Sequence, residues 1–342
     1  MTSAALIQPG PSLEFSLKIS FVTTIYRTGK DVEALAGLCF EAAASLDLDC
    51  EVVFVNDGSP DDGLEIAAAL AQRDHRVVVV DLARNYGQHK ALWTGLETAS
   101  GDLIMMLDGD LEEDPRWAVD FHGEMLRTAA DVVYGVQIRP KGSLQYRFGR
   151  NAFYRMLDIT SDFKFPRDVA TARLMTRRYV TALLSHQERE LFLVGLMHAT
   201  GFTQSPYRVH KLSVSESSYT LPKLMRLFLM AVTSFSIKPL IGVFFSGVIL
   251  SGLAFLLIIF LIGRFLVTGV SVEGWTSVVA GMMLLNGVTI LFVGVLSIYI
   301  GTIFLEVKQR PRTIVTRIYR AGEEQVPNKS HRFGDGAHEL DG

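Results

Sequence analysis

The sequence predicts an α/β domain built on a mostly parallel sheet with flanking helices, followed by interfacial amphipathic helices and two transmembrane helices. Three observations predict it. Apolar runs alternate with helix-patterned segments from Leu17 to Gln137. Two stretches toward the C-terminus, Ile241 to Ile262 and Thr276 to Leu305, contain no Asp, Glu, Lys or Arg. Ahead of them, basic residues are interleaved with aromatic and aliphatic ones, as on helices that lie along a membrane surface.

The runs Leu17–Ile25, Cys50–Val55, Arg76–Leu82, Asp102–Leu107 and Asp131–Gln137 are rich in Val and Ile and read as strands. Between them Lys30–Leu46, Asp61–Arg73, Gln88–Ala99 and Pro115–Leu126 read as helices. Pro115 suits a first helical turn, with Asp114 as its cap. Strand–helix alternation at this spacing predicts parallel strands covered on both faces. Ligands of such sheets bind beyond the carboxyl ends of the strands. Three polar segments fall there: Asn56-Asp57-Gly58, Arg84-Asn85-Tyr86-Gly87 and Asp108-Gly109-Asp110.

The two apolar stretches are each long enough to cross about 30 Å of hydrocarbon. Thirty uncharged residues in a row, as in the second, exceed an ordinary buried core helix. Lys223, Arg226 and Lys238 precede the first, and Lys308, Arg310, Arg312, Arg317 and Arg320 follow the second, with only Arg264 and Glu273 charged between them. The excess of positive charge on both outer flanks places them in the cytoplasm. The expected location is therefore the inner (cytoplasmic) membrane, multi-pass, with the soluble domain in the cytoplasm. The segments Ser143–Asp158 and Leu221–Ser236 mix Arg or Lys with Phe, Tyr, Leu and Met, and suit a membrane surface or a face packed on the sheet.

The predicted organisation is an extension over 1–16, a soluble domain over 17–220, an interfacial helix over 221–236, a two-helix anchor over 237–305, and a basic juxtamembrane segment with a disordered tail over 306–342. Trimming the chain after Leu221 is expected to leave a soluble fold. Lys+Arg 33 against Asp+Glu 36 gives no basic excess for nucleic acid. Cys39 and Cys50 fit no metal spacing and suit a reducing compartment. The first basic residue is Lys18, so the N-terminus lacks the basic region of a signal peptide.

Residues two apart on an extended segment point the same way. Asp108 and Asp110 can thus converge on one cation, and Glu112 adds a carboxylate two further on. Few hard oxygen donors suit Mg²⁺ or Mn²⁺, which takes its remaining ligands from a diphosphate and water. Gly109 permits close approach of backbone and phosphates. A bare Asp-x-Asp occurs by chance in about every second chain of this length, so its placement at a strand end is what gives it weight. Asp57-Gly58-Ser59-Pro60 fits a second ligand contact and a plain β-turn equally well.

Val55-Asn56-Asp57-Gly58-Ser59, then Arg84-Asn85-Tyr86-Gly87-Gln88-His89 with Gly95-Leu96, then Gly101-Asp102-Leu103-Ile104 through Asp108-Gly109-Asp110-Leu111-Glu112-Glu113-Asp114-Pro115 follow one another along the chain. In that order they resemble the inverting family 2 glycosyltransferases that act on polyprenyl phosphates. Ser234-Phe235-Ser236-Ile237-Lys238-Pro239-Leu240 resembles the entry to the family's first spanning helix. Tyr299-Ile300-Gly301, Glu306-Val307-Lys308 and Arg310-Pro311 resemble the exit from its second. The resemblance runs from about Leu17 to Val315 and implies a GT-A-like fold.

It implies transfer of a sugar from a nucleotide-diphosphate sugar, UDP-linked, to a membrane polyprenyl phosphate. The donor would lie against Thr24, Tyr26, Thr28, Asp57, Gly58, Arg84, Gln88, Asp108 and Gly109, with Asp57 on the base. Asp108, Asp110 and Glu112 would hold Mg²⁺ or Mn²⁺. Arg139, Lys141, Arg147 and Arg173 would receive the acceptor phosphate, and Asp108, Asp110 and Arg173 would carry the catalysis. The oligomeric state is left open, a homo-oligomer included.

The chain departs from the family pattern at Thr28, where a Glu is usual, and at Thr171, where an Asp is often proposed as base. Gln137 replaces a common Arg, and Ser218 a common Lys. An unusual donor or acceptor, and a weakened or inactive scaffold that binds a nucleotide sugar, both remain open readings. A processive polysaccharide synthase would carry Gln-x-x-Arg-Trp, whereas Trp93, Trp117 and Trp275 stand in other contexts.

Overall fold

The computed structural model describes residues 17–137, 169–189, 193–211, 238–268 and 274–325. Four parallel strands form the centre: β1 (Lys18–Ile25), β2 (Asp49–Asn56), β3 (Val77–Leu82) and β4 (Leu103–Met106). β1 pairs with β2 and β4, and β2 with β3. Helices α1 (Val32–Ser45), α2 (Gly63–Arg73), α3 (Gln88–Thr98) and α4 (Trp117–Thr128) connect or follow them. Each central strand buries both faces, which is why its sequence is an unbroken apolar run. Phe21, Val52 and Phe54 pack with α1 and α4 on one side. Val22, Val53 and Val55 pack with Leu92, Trp93 and Leu96 of α3 on the other.

The expected sheet with a parallel centre and flanking helices is present, and antiparallel strands at its margins make the whole sheet mixed. β5 (Val132–Gln137), β6 (Val169–Thr176) and β7 (Gln204–Val209) extend one side. β8 (Val315–Arg320) and β9 (Glu323–Gln325) extend the other. The order is β7-β5-β6-β4-β1-β2-β3-β8-β9. β6 runs antiparallel between β4 and β5, β7 is parallel to β5, and β8 is antiparallel to β3. α5 (Arg177–Leu184) and α6 (Leu193–Ala199) cover the α3 side. Gln137, Val169 and Lys211 consequently all lie at the edge where β1, β2, β3 and β4 end.

α4 begins at Trp117, two residues later than the Pro115 start expected. Asp114 caps a preceding turn instead: its carbonyl accepts the N–H of Trp117, and its carboxylate takes the N–H of Arg116 and the Arg116 guanidinium. The expected extension over 1–16, and the amphipathic segments 143–158 and 221–236, lie outside the described residues.

Two long helices follow, α7 (Lys238–Thr268) and α8 (Trp275–Val307), 31 and 33 residues. Leu240–Arg264 and Gly281–Val307 are long and apolar enough to cross a membrane, and nothing in their apolar windows is buried. Phe244, Phe255 and Leu285, for example, are each more than half exposed. Uncovered apolar area on this scale has a large unfavourable free energy in water.

The chain beyond α8 is not only a juxtamembrane segment. The two Glu306 carboxylate oxygens accept the Arg189 N–H at 2.9 and 3.0 Å. Arg312 donates to the carbonyls of His186 and Glu188 and stacks 4.6 Å from the Trp93 ring centroid. Thr313 and Thr94 share a hydroxyl hydrogen bond at 2.7 Å. β8 then pairs along β3, and Glu323–Gln325 pairs with β8, within the stretch over 306–342 expected to be a basic segment and a disordered tail. The open edge of β3 supplies the partner for this strand, and that edge is far away in sequence.

Candidate active site

The turn after β2 is closed by its own side chains. Asn56 Oδ1 accepts the N–H of Ser59 at 3.1 Å, and Ser59 Oγ accepts the N–H of Arg27 at 2.7 Å. Asp57, only 2% exposed, accepts the N–H groups of Tyr86 at 2.6 Å and Gly87 at 3.0 Å. Burial pushes its carboxyl above the usual range, and the two amides work against that shift. Gly58 sits at φ +61°, and a Cβ there would lie 2.6 Å from the Asn85 nitrogen. Only glycine accepts both constraints without strain. The Asp57-Gly58 pair therefore holds the 84–87 segment against the end of β2. That is a structural role added to any contact with a ligand.

The acidic loop after β4 is built around a fully buried carboxylate that the sequence reading did not single out. Glu113 Oε2 accepts the N–H of Asp108 at 3.2 Å, and Oε1 accepts the N–H of Thr171 at 2.9 Å. Lys211 places its ammonium 3.2 Å from Glu113, 3.5 Å from Glu112 and 3.8 Å from Asp108. Burial opposes the Lys211 charge, but Glu113 and Asp108 outweigh it and its pKa is raised. Asp108 is pushed up to about 7, first by burial and then by the Glu113 carboxylate. The Thr171 hydroxyl and the Gln88 amide both donate to Asp108. Asp110 Oδ1 accepts the N–H of Glu112 at 3.0 Å, which tightens the loop.

A cavity of about 420 Å³ opens between these two segments. Thr24, Tyr26, Thr28, Asp57, Gln88, Asp108, Gly109 and Asp110, all expected from the sequence, line it together with Asn85 and Gly87. Gly58 stands behind the wall, and Arg84 is exposed with its guanidinium 4.5 Å from the Tyr86 ring centroid. The Thr28 hydroxyl is buried and has no hydrogen-bond partner among the described residues.

Two expected residues are placed elsewhere. Glu112 is buried against Lys211 and does not line the cavity. Arg173 is 4% exposed on β6, pairing in register with Met106 and Tyr134. Its Nη1 is 3.0 Å from Met197 Sδ, and its buried Nε has no partner among the described residues. Burial alone explains the lowering of its pKa. It lies away from the cavity wall because alternate residues of β6 face opposite sides, and position 173 faces the α3 layer. Arg139, Lys141 and Arg147 lie outside the described residues.

Asn85 and Gly87 were signalled by the motif that contains them, and Glu113 by the acidic run. Nothing local marks Lys211, which reaches the site only because β7 pairs beside β5. Among the described residues no three His, Cys, Asp or Glu side chains meet as a metal cage. Asp108 and Asp110 in an open cavity fit a different donor set. Mg²⁺ or Mn²⁺ held by one or two carboxylates is completed by substrate phosphates and water. The expected third ligand, Glu112, is turned to Lys211 instead.

The family model "Glycosyl transferase family 2" matches residues 20–184. A protein of Mycobacterium tuberculosis (strain CDC 1551 / Oshkosh) named as a glycosyltransferase is 40% identical over 89% of this chain and 89% of its own length. The SfII prophage-derived bactoprenol glucosyl transferase of Shigella flexneri is 32% identical over 89% of this chain and 99% of its own. Among solved structures, mannosyl-3-phosphoglycerate synthase from Rubrobacter xylanophilus matches 63% of this chain and 72% of its own at 18% identity and a TM-score of 0.44.

Proposed function

The chain belongs to glycosyl transferase family 2, and on that premise we propose that it moves a sugar from a nucleoside-diphosphate sugar, UDP-linked, to the phosphate of a membrane polyprenyl phosphate, inverting the anomeric centre. The observation that supports this best is the cavity itself. Asp57 and its bound 84–87 segment form one wall and Asp108-Gly109-Asp110 the other, at the carboxyl edge of a GT-A-like sheet that two exposed apolar helices follow. The name of the Shigella relative supplies the acceptor class.

In this reading the base and ribose lie along Thr24, Tyr26 and Asp57, and the diphosphate reaches Asp108 and Asp110. A divalent ion on that carboxylate pair would neutralise charge on the departing diphosphate. The nucleophile is a phosphomonoester oxygen, largely dianionic at neutral pH because its second pKa is about 6. It needs no strong base, so Thr171 in place of an acid is compatible with transfer. Thr171 instead donates to Asp108, which orients that carboxylate. Lys211 balances the surplus acid charge of the loop. Arg173 is buried and does not line the cavity, so its part in holding acceptor phosphate requires that anion, or the guanidinium, to move.

The two apolar helices support a location in the cytoplasmic membrane, crossed twice. The segment that leaves α8 returns to β3, which supports a topology with the end of the hairpin and the catalytic domain on one side. The flanking positive charge makes that side the cytoplasm.

The second reading, a nucleotide-sugar-binding scaffold without turnover, is favoured by one observation: neutral Thr28 and Thr171 stand where acidic side chains are usual in the family. One experiment separates the two. Membranes containing the protein are given a panel of nucleotide sugars, a polyprenyl phosphate and Mg²⁺ or Mn²⁺, and the lipid fraction is weighed for a new sugar-linked species. Such a species is expected; nucleotide binding without it would leave the scaffold.

A further inference from the structure

We propose that Asp81 is a positioning residue that couples the strand following the second apolar helix to the wall of the cavity; the proposal rests on reading that cavity as a donor site. Asp81 is the one charged residue of β3, in the run Val-Val-Val-Val-Asp-Leu. It lies in register beside Asn56 of β2. Asn56 Nδ2 donates to Asp81 Oδ1 at 2.7 Å. The other oxygen, Oδ2, accepts the hydroxyl of Thr316 at 2.6 Å.

Thr316 reaches Asp81 through an irregularity in β8. Arg317 pairs with Asp81 and Val315 with Leu82, so Thr316 is the extra residue of a bulge. Bulges re-aim side chains at sheet edges. Here the bulge turns a hydroxyl onto a carboxylate that a regular ladder would leave without it. The Thr316 hydroxyl also lies 3.0 Å from the Asp81 carbonyl oxygen.

From Asp81 the bonds lead directly to the cavity. Asn56 is 3% exposed and has its amide group used at both ends, Nδ2 on Asp81 and Oδ1 on Ser59. That fixes the turn that aims Asp57, and Asp57 in turn holds the N–H groups of Tyr86 and Gly87. Gly87 lines the cavity. A segment delivered by the membrane hairpin thus helps set the shape of the donor wall.

Full-length protein in detergent or nanodiscs tests the coupling by amide hydrogen exchange and by binding of UDP or GDP with Mn²⁺. Asn56→Asp sets two carboxylates against each other. Exchange over Tyr86–Gly87 should accelerate and nucleotide affinity fall, each about tenfold, as for a loss of about 1.4 kcal/mol. Asn56→Asp/Asp81→Asn restores one donor facing one acceptor and should recover both readouts to within about twofold. Thr316→Val, which removes only the hydroxyl, should accelerate exchange at Tyr86–Gly87 in the same direction and covers the case in which Asn56→Asp does not fold. A purely structural role would lower stability without local exchange at 86–87 or rescue by the swap. Unchanged exchange in both Asn56→Asp and Thr316→Val, or a swap no better than the single change, overturns the proposal. If the wild-type protein binds neither nucleotide, the donor reading fails, while the exchange measurements still decide the coupling.

Discussion

Lys211 and Glu113 form a buried ion pair at 3.2 Å that joins the exit of β7 to the acidic loop after β4. Glu113 is completely buried, and its oxygens also fix the backbones of Asp108 and Thr171. Removing one member of a buried pair leaves an uncompensated charge, at about 3–5 kcal/mol. Lys211→Met should therefore lower the apparent unfolding temperature markedly. Lys211→Met/Glu113→Gln should regain part of the loss, because the buried Glu113 charge goes with its partner while Glu112 and Asp108 still lose theirs. Thermal unfolding of the three forms in the same detergent checks this, and equal melting of both variants would remove the ion pair from the account.

Asp110 is exposed at the cavity mouth, and among the described residues its hydrogen bond is a local turn contact to Glu112. Asp110→Ala therefore removes a candidate metal donor and little packing. Sugar transfer is expected to fall below detection while the unfolding temperature without ligand stays within about a degree or two, as for a surface change of under 0.5 kcal/mol. The wild-type protein should gain stability from Mn²⁺ with UDP, by about 2.7 kcal/mol at a hundred times Kd. The variant should lose that gain. Wild-type turnover in Asp110→Ala would reject the carboxylate pair as the metal site.

Gly109 meets β1 where a side chain has no room: a Cβ would run into the Thr24 carbonyl oxygen. Backbone cannot swing aside as a long side chain can. Gly109→Ala should push Asp108 and Asp110 away from Thr24 and cost about 1–3 kcal/mol of stability, in the range of overpacked sites. Transfer should drop more than stability predicts, because both cavity carboxylates move together. Nucleotide affinity and transfer, measured on the same preparation, check it; unaltered values for both would show that the loop tolerates the shift.

The centre of the sheet was legible because β1 to β4 bury both faces and advertise this as Val-rich runs. The two cavity loops were legible because their residues are consecutive: Asn56-Asp57-Gly58 and Asp108-Gly109-Asp110 each sit at the end of such a run. What a sequence cannot show is which distant group answers a local one. Glu112 reads as a third ligand beside Asp108 and Asp110, until β7 brings Lys211 to it from across the sheet. Arg173 reads as a site arginine, until the register of β6 buries it against Met197 and away from the cavity lining. The segment after α8 reads as basic, since Arg310, Arg312, Arg317 and Arg320 stand out. Its pairing with β3 is set by an edge formed more than two hundred residues earlier.

That pairing changes what a truncation should do. Ending the chain at Leu221 removes β8 along with the helices. The edge of β3 then opens, as do the faces of Trp93 and Glu97 that Arg312 covers. Glu97 is already pushed up by burial, and it would lose the Arg312 guanidinium that opposes the shift. An open apolar edge is a template for aggregation. The fragment is therefore expected to be unstable and to self-associate, instead of remaining a soluble domain. Replacing 238–305 by a flexible linker and retaining 306–325 should restore a folded domain, because Arg312, Thr313 and β8 again meet their partners. Size-exclusion profiles and exchange protection along β3 compare the two designs. A monomeric, protected fragment ending at Leu221 would show that β8 is dispensable to the fold.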